Sequence, residues 1–351
     1  MLETEISVVS QREEEEELQF LTTTLRMEDL CFPQLLNASC RKRKANQSKA
    51  ALIYVLYFIC VLSVTLNLLV IISVSHFRQL HTPTNLLLIS LAVSDFLTGL
   101  VLAPLQAHEL TPCWLLGDLV CSLYYFASSL FTNASIGDML LISVDRYVAI
   151  CDPLHYSTRV TVRRVKMWIC MCWTCCLLYS GLGYKDDLAQ PGRFKSCYGE
   201  CFIYSSNTDI TIDIVLSFIA PITVMIILYM RVFVTAVSQA RAMRSHVAAV
   251  TLQHSGTVMT KKSELKAART LGVVLLVFLI CFCPYYFFFF LFLQNIPVTA
   301  SVGTLITVLM YINPCLNPVI YALFYPWFRK AIRLIFSLQI LQPGSRETNM
   351  L

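Results

Sequence analysis

The chain has 351 residues, of which 56% are hydrophobic and only 14% are charged, and its mean hydropathy is +0.64. Soluble domains carry about a quarter charged residues, so this composition excludes an ordinary water-soluble domain and indicates a chain embedded in lipid. The net charge is +5, and we expect no nucleic-acid partner, no cofactor and no metal-binding set of His and Cys ligands.

The N-terminal tail, residues 1–49, is polar, so we expect no cleavable signal peptide and expect the first apolar run to act as its own insertion signal. The acidic run from Glu13 to Glu17 predicts a solvated, disordered segment.

Seven apolar runs follow the tail, each close to the roughly 20 residues that a helix needs to cross a bilayer. We number them as spans 1 to 7, at about 50–75, 85–108, 120–144, 166–184, 209–235, 268–293 and 300–324. Lipid offers the backbone no hydrogen-bond partners, so the predicted fold is an all-α membrane protein, a seven-transmembrane helix bundle over residues 50–325. A short amphipathic cytoplasmic helix is predicted over 326–338, and a cytoplasmic tail over 339–351.

Basic residues mark one face of the predicted bundle as cytoplasmic and place the N-terminus outside. They are Arg78, Arg159, Arg163, Arg164, Lys166, Arg231, Arg241, Arg244, Lys261, Lys262, Lys266, Arg269, Arg329, Lys330 and Arg333. The basic run 41–44, with Lys49, lies beside span 1 on the other face and argues the opposite way, but it is outnumbered.

Cysteines agree with this orientation. The predicted outer face carries Cys31, Cys40, Cys113, Cys121, Cys197 and Cys201. That compartment is oxidising, so disulfides are expected there, although spacing alone does not choose the pairs. Asn37 begins a glycosylation motif on the same side. Asn46 also fits the motif but lies close to the membrane, and Asn133 matches by chance inside span 3.

Polar residues within the spans are costly in lipid and therefore mark function. Asp95 of span 2 could share hydrogen bonds with polar residues of other spans, or bind a small cation. The candidate sodium site comprises Asp95, Ser135, Asn313 and Asn317, with Asn67 nearby. A satisfied network without an ion is the alternative.

The cytoplasmic end of span 3 carries Asp145, Arg146 and Tyr147, and Glu264 lies at the cytoplasmic entrance of span 6. An Arg146 side chain bridging both acids would form a latch between two helices that a ligand could bias. The alternative is an interfacial arginine whose charge reaches the lipid headgroups.

Prolines and aromatic residues predict a cavity in the outer half of the bundle. Pro221, Pro284 and Pro318 lie inside spans 5, 6 and 7, where proline removes a helical hydrogen bond and bends the helix. Phe282 lies one turn below Tyr285 and Tyr286, and these rings would form the floor and wall of the cavity. Aromatic stripes are more often packing, so the cavity reading depends on the bends.

Together these residues resemble the signature positions of rhodopsin-like G-protein-coupled receptors. The matching positions occur in the family's order: Asn67, Asp95, Asp145, Arg146, Tyr147, Trp173, Pro221, Phe278, Phe282, Pro284, Asn317, Pro318 and Tyr321. The stretch 313–328, "NPCLNPVIYALFYPWF", resembles the fingerprint of the trace amine-associated receptors, except that Pro314 replaces a serine.

The resemblance implies a plasma-membrane receptor for a small amine, acting through a stimulatory or olfactory G protein, with arrestin, receptor kinase and membrane lipid as further partners. It also implies expression in olfactory neurons, in whose cilia the receptor would lie. It pairs Cys121 with Cys201, and Cys40 with Cys197, leaving Cys31 and Cys113 free or joined to each other. Asn317, Pro318 and Tyr321 would belong to the activation machinery.

The chain departs from this family where an amine would bind. Most members have Trp at the position of Phe282, and amine receptors carry Asp seven residues after the span-3 cysteine, where this chain has Ser128. Asp138 lies nearly three turns deeper and is better read as a structural carboxyl group.

Span 5 offers the replacement carboxylate. Asp213 lies two turns above Pro221, with Ser217 one turn deeper on the same face and Asp209 at the outer rim. This arrangement resembles a subgroup of fish receptors that carry the amine-binding Asp on span 5. The alternative is a rim carboxylate paired with Lys185. The remaining predicted ligand residues are Ser128, Ser129, Thr132, Phe282, Tyr285, Tyr286 and Tyr311.

Two other functions fit a seven-span chain. One is a rhodopsin-like receptor for another small ligand, or an orphan receptor that binds no amine. The other is a secondary transporter, which is also built from many spans. Transporters tend to show internal repeats and broken helices that face each other. The two halves of this chain show no repeat, and nothing in it indicates an enzyme.

Overall fold

The computed structural model describes residues 27–35, 37–43, 47–249, 255–294, 296 and 300–350. Spans 1, 3, 4, 6 and 7 are the helices Gln47–His76, Asp118–Cys151, Val162–Gly183, Ser255–Leu293 and Ala300–Phe324. Span 2 comprises Pro83–Leu97, a π-helical turn Thr98–Leu102, and Ala103–Glu109; span 5 comprises Asn207–Asp213, a π-helical turn Ile214–Ile219, and Ala220–Ala249. The helical membrane bundle predicted from the sequence is confirmed.

Length and composition identify five of these helices as membrane spans within the described residues. They are Lys49–His76, Pro83–Glu109, Val162–Gly183, Asn207–Gln239 and Val302–Phe324. Span 3 is long enough but carries three buried charged residues, Asp138, Asp145 and Arg146. Span 6 has a shorter apolar stretch, Gly272–Phe288.

Spans 3, 5 and 6 are longer than their predicted ranges of 120–144, 209–235 and 268–293. Span 3 continues to Cys151 and is followed by a separate short helix that begins at Pro153. Span 5 runs to Ala249, and span 6 begins at Ser255. An apolar run marks only the part of a helix that lipid surrounds, so a helix that continues into water leaves no hydropathy signal at its end.

Span 3 lies against spans 2, 4, 5 and 6, and span 7 lies against spans 1, 2 and 6. The main core follows these contacts and contains Leu88, Ile142, Phe278 and Tyr321, all with at most 1% of their surface exposed. Span 3 and the four spans packed against it therefore hold the side chains at the two ends of the bundle.

Three disulfides fasten the outer face: Cys31–Cys113, Cys40–Cys197 and Cys121–Cys201. The last two are the pairs that the family resemblance implies, and the first joins the two cysteines left over. The tail also pairs through its backbone with the loop before span 5, where the Cys40 amide donates to the Tyr198 carbonyl at 2.8 Å. The tail is thus fixed across the outer end of the bundle.

The cytoplasmic end is covered by the C-terminus. The amphipathic helix Pro326–Phe336 ends before Leu338, whose φ of 57° lies in the left-handed region. The chain then turns back, and Met350 is buried in the main core with 2% exposure. The predicted 339–351 tail therefore packs against the bundle over its described part.

Candidate ligand-binding site

Asp213 is half-buried in the outer half of span 5 and accepts two hydroxyl hydrogen bonds on one oxygen. Ser217 Oγ donates to Asp213 Oδ1 at 2.8 Å, and Tyr179 of span 4 donates to the same oxygen at 2.9 Å. Its partners are hydroxyls rather than Lys185, the cation that a purely structural pairing would use. The charge of Asp213 is oriented by these bonds but is not neutralised by them.

The backbone of span 5 departs from a regular helix beside Asp213. A π-helical turn, Ile214–Ile219, begins directly after Asp213 and ends two residues before Pro221. Proline cannot donate its backbone nitrogen, and π-helical turns are a recognised cause of helix bends that often occur at functional sites. Ser217 lies within this turn, and its buried hydroxyl donates to the carboxylate.

Aromatic rings pack against one another on spans 5 and 6 in the same outer half of the bundle. Tyr286 of span 6 stacks on Phe218 of span 5 with ring centroids 4.1 Å apart, and Tyr285 packs edge-on against Tyr286 at 5.3 Å. Burial, followed by the negative charge of Asp213, raises the pKa of Tyr184 just beyond span 4. Rings beside a carboxylate suit a cation, because the faces of aromatic rings attract positive charge.

Phe282 lies deeper, buried and stacked on Phe278 with ring centroids 4.5 Å apart. The predicted ligand residues of span 3 differ in their surroundings. Ser129 is hydrogen-bonded to Ser180 of span 4 at 2.9 Å, so it faces span 4. Ser128 and Thr132 are half-buried on the same helix.

Asp209 has a structural role at the start of span 5. It forms a capping box with Ser206, whose hydroxyl donates to Asp209 Oδ2 at 2.7 Å and accepts from the Asp209 backbone nitrogen at 3.2 Å. The carboxylate therefore caps the helix at the exposed outer rim.

Tyr311 belongs to a polar cluster at the outer ends of spans 2, 3 and 7. Tyr124 and Tyr311 both donate to Gln106 Oε1, at 2.7 and 3.5 Å, and Gln106 Nε2 donates to Glu109 at 3.2 Å. Arg43 of the tail pairs with Glu109 at 3.0 Å. Sequence reasoning identified only Tyr311, because no spacing pattern links the tail, span 2 and span 3.

Asp95 is the centre of the predicted mid-membrane network. Asn317 donates to Asp95 Oδ2 at 2.8 Å and Ser135 to Oδ1 at 3.4 Å. Hydrogen bonds therefore reach both oxygens without an ion, while two buried atoms, Asn317 Oδ1 and Asn313 Nδ2, have no hydrogen-bond partner among the described residues. Asp138 is separate: its Oδ1 accepts from Ser90 of span 2 at 2.7 Å, whereas its buried Oδ2 has no hydrogen-bond partner among the described residues.

The cytoplasmic end of span 3 forms a closed cluster. Arg146 pairs with the neighbouring Asp145 at 2.5 Å and donates to Thr84 of span 2 at 2.6 Å. Asp145 also accepts from Tyr156 of the following loop helix at 2.9 Å. The predicted partner Glu264 lies in the span-6 helix, but its side chain is outside the described residues. Tyr147 packs with Ile150 and Val232.

In span 7, Tyr321 is 1% exposed in the main core, one turn from Tyr325, with ring centroids 6.0 Å apart. Pro314 and Pro318 both lie inside this helix. The carbonyl of Pro314 accepts from Asn67 of span 1 at 2.9 Å. The substituted Pro314 therefore keeps a bond between spans 1 and 7.

Comparison with known proteins identifies the family. Residues 66–321 match the family described as 7 transmembrane receptor (rhodopsin family). Trace amine-associated receptor 8a of Rattus norvegicus is 37% identical over 342 residues, covering 90% of this chain and 94% of that receptor. Trace amine-associated receptor 6 of Pan troglodytes is 35% identical over 345 residues, covering 92% and 95%.

Trace amine-associated receptor 13c of Danio rerio is 34% identical over 334 residues, covering 91% of this chain and 95% of that receptor. These relatives are membrane receptors and not enzymes. The chain belongs to the trace amine-associated receptors, within the rhodopsin family of seven-transmembrane receptors.

Proposed function

We propose that this receptor binds a cationic amine in the outer half of the bundle, with Asp213 as the counter-ion, and activates a heterotrimeric G protein. The observation that carries the proposal is the half-buried Asp213 carboxylate, oriented by Tyr179 and Ser217 and lacking a paired cation among the described residues. This assignment would place the chain in the subgroup whose amine-binding carboxylate is on span 5.

The charge balance of the outer half supports the choice of Asp213. Ser128 occupies the position where amine receptors usually carry an acid, and Asp209 serves as a helix cap. An ammonium group in a low-dielectric pocket needs a carboxylate, because an unpaired buried charge costs several kcal/mol. The remaining contacts to the ligand would come from Ser128, Thr132, Phe282, Tyr285, Tyr286 and Tyr311.

Asp213→Asn tests this proposal. Truncating one partner of a buried charged pair costs about 2–5 kcal/mol, so amine potency should fall by some tens to thousands of fold. The measurement is amine-evoked second-messenger production in transfected cells at matched surface expression. Asp186→Asn, the same change at an exposed loop position, should leave potency unchanged.

An unaltered amine response in Asp213→Asn would rule out the assignment of this carboxylate. Uptake of labelled amine into the same cells would instead favour a transporter. A response to another small molecule that persists in Asp213→Asn would favour a receptor for a different ligand.

On the cytoplasmic side we propose a stimulatory or olfactory G protein as partner, followed by receptor kinase and arrestin, with olfactory cilia as the location. Asp145, Arg146, Tyr147, Glu264, Asn317, Pro318 and Tyr321 would carry the signal. A rise in cAMP on amine addition is the expected readout, and a fall or no change would rule out a stimulatory partner.

Two further sites, one for sodium and one for glycosylation, are proposed independently of the amine. Sodium binding by Asp95, Ser135, Asn313 and Asn317 stays a prediction, supported by the buried Asn317 side-chain oxygen, which has no hydrogen-bond partner in the described part of the chain. If sodium binds, replacing it with a large organic cation should alter amine potency in the parent receptor but not in Asp95→Asn. Glycosylation stays a prediction for Asn37, which is exposed in the tail; an Asn37→Gln receptor of unchanged electrophoretic mobility would contradict it.

A further inference from the structure

A second carboxylate, Glu109, lies at the outer end of span 2. Gln106, one turn before it, links this carboxylate to the proposed ligand-binding residue Tyr311. The amide nitrogen of Gln106 donates to Glu109 Oε2 at 3.2 Å, while its oxygen accepts from Tyr124 and Tyr311 at 2.7 and 3.5 Å. Glu109 is therefore connected through Gln106 to Tyr124 of span 3 and Tyr311 of span 7.

Glu109 already holds a cation. Arg43 Nη1 donates to Glu109 Oε1 at 3.0 Å and to the Glu109 backbone oxygen at 3.2 Å. The Arg43 side chain is 40% exposed and that of Glu109 is 22% exposed. Arg43 lies three residues after Cys40, which is disulfide-bonded to Cys197. Its guanidinium is therefore tethered at the outer end of the bundle and is still accessible to water.

Tyrosine residues lie beside each of the two carboxylates. Tyr179 donates to Asp213, whereas Tyr124 donates to Gln106, which in turn donates to Glu109. The ring of Tyr125 packs edge-on against that of Tyr124, with centroids 5.1 Å apart. Aromatic faces stabilise cations, so both carboxylates have surroundings that suit an ammonium group.

Among the other acids at the outer end, Asp209 is engaged as a helix cap and exposed, and Asp118 is paired with Lys195. Glu109 is joined to residues of spans 3 and 7, and we therefore take it as the second anion.

We propose that Glu109 is a second ligand carboxylate, which takes the distal ammonium of a diamine or polyamine and gives up Arg43 in exchange. The inference rests on the proposed function, in which Asp213 binds the first ammonium. Arg43 is then a tethered competitor, and a monoamine leaves the Arg43–Glu109 pair intact.

The exchange is energetically accessible. Exposed ion pairs between flexible side chains contribute less than about fivefold to an equilibrium constant. An incoming ammonium therefore meets weak competition, and the displaced guanidinium is hydrated where it stands. The same weakness limits the gain from the second contact, since charges at the rim of an interface contribute less than buried ones.

The experiment compares α,ω-diaminoalkanes with n-alkylamines of the same chain lengths, on parent receptor, Glu109→Gln, Arg43→Gln and Arg41→Gln. Arg41 is an exposed tail residue two positions away and serves as the matched control. Second-messenger potency is measured at equal surface expression. Glu109→Gln should lower the potency of the longer diamines about tenfold and leave monoamines unchanged. Arg43→Gln should raise diamine potency about threefold, because the competitor is gone, and Arg41→Gln should change neither.

If Glu109→Gln and Arg43→Gln change monoamine and diamine potency by the same factor, or change neither, then Glu109 only holds the N-terminal tail in place and does not bind ligand. If Glu109→Gln does not reach the cell surface, Arg43→Gln alone decides. A ratio of diamine to monoamine potency that is unchanged in Arg43→Gln would contradict competition between Arg43 and the ligand for Glu109. Asp213→Asn separates the two ideas. If Asp213→Asn abolishes monoamine responses but Glu109→Gln does not change diamine potency, only the role of Glu109 is overturned. If amine responses persist in Asp213→Asn, the proposed function itself is overturned.

Discussion

Asp213 and Asp138 are acids at different depths of neighbouring helices, and their neighbours give them different roles. Asp138 is fully buried and accepts from Ser90, which in turn accepts from Trp173 of span 4 at 3.0 Å. Asp213 is half-buried and faces hydroxyls at the outer end. A carboxylate that serves a ligand must be reachable and oriented, and only Asp213 meets both conditions.

Tyr179→Phe should weaken amine binding without abolishing it. The change removes the 2.9 Å hydrogen bond to Asp213 and leaves the ring in place. A hydrogen bond to a charged group contributes about 1.5–3 kcal/mol. Because Ser217 still orients the carboxylate in this variant, only part of that contribution should be lost from amine binding, and potency should fall by roughly tenfold, less than in Asp213→Asn. Competition binding with a labelled amine would measure it, with Tyr204→Phe at an exposed position as the control. A loss as large as that of Asp213→Asn would mean that Tyr179 itself contacts the ligand.

The one-turn spacing of Asp213 and Ser217 was enough to predict that they act together, because residues four apart share a helix face, and their hydrogen bond agrees. The donor from Tyr179 could not be predicted in this way. Contacts between helices depend on how each helix is rotated and tilted against its neighbours, and the sequence of span 4 has no clear polar stripe that fixes its rotation. Ser129 shows the same limit, since it faces Ser180 rather than span 5.

Whole helices differ most from their predicted form at the π-helical turns and cytoplasmic ends. Pro221 predicted a bend in span 5, but not the wide turn Ile214–Ile219 that precedes it. Span 2 has a similar turn, Thr98–Leu102, next to Pro104. Periodicity assumes a constant number of residues per turn, so a single wide turn shifts the face of every residue beyond it.

Spans 2 and 3 are coupled at the cytoplasmic end through Thr84, which accepts from Arg146 and donates to Asp145 at 3.0 Å. Thr84→Val keeps the size but removes both bonds, and about 1.5–3 kcal/mol is typical for a hydrogen bond to a charged group. Arg146 should then separate from Asp145 more readily, so basal cAMP should rise several fold at equal surface expression. Thr158→Val, at an exposed loop position, is the control.

Glu264→Ala tests the other half of the predicted latch in the same assay. If Arg146 also bridges to span 6, this variant should raise basal activity, and combining it with Thr84→Val should give less than the sum of the two effects, since both act on one arginine. Basal activity that stays at the parent value in Glu264→Ala would leave Thr84 and Asp145 as the only partners that hold Arg146.

At the scale of the molecule, the bundle is fastened differently at its two ends. Three disulfides and the Arg43–Glu109 pair hold the tail across the outer end. The cytoplasmic end has noncovalent contacts with the C-terminus instead. Apolar runs in the sequence predicted the helices of the bundle. Both coverings depend on chain segments that are polar and aperiodic, for which neither propensity nor periodicity gives a prediction.

The C-terminal segment contacts the end of span 1 and the first cytoplasmic loop. The Met350 amide donates to Gln79 at 2.8 Å, His76 and Ser345 are hydrogen-bonded at 3.0 Å, and Arg78 pairs with Glu347 at 3.2 Å. These contacts differ in strength. The Met350 side chain is buried, whereas Arg78 and Glu347 are 67% and 73% exposed.

Met350→Ala should therefore release this segment, whereas Glu347→Gln should not. Burying a methionine side chain stabilises a contact by about 1.5–3 kcal/mol, and an exposed ion pair contributes about 0–1 kcal/mol. Because docking is local, the readout is hydrogen exchange of residues 339–350 in receptor reconstituted in lipid nanodiscs, rather than global unfolding. Exchange should rise by roughly tenfold or more in Met350→Ala and stay near the parent rate in Glu347→Gln. The reverse order would show that charge rather than apolar burial holds the C-terminus to the bundle.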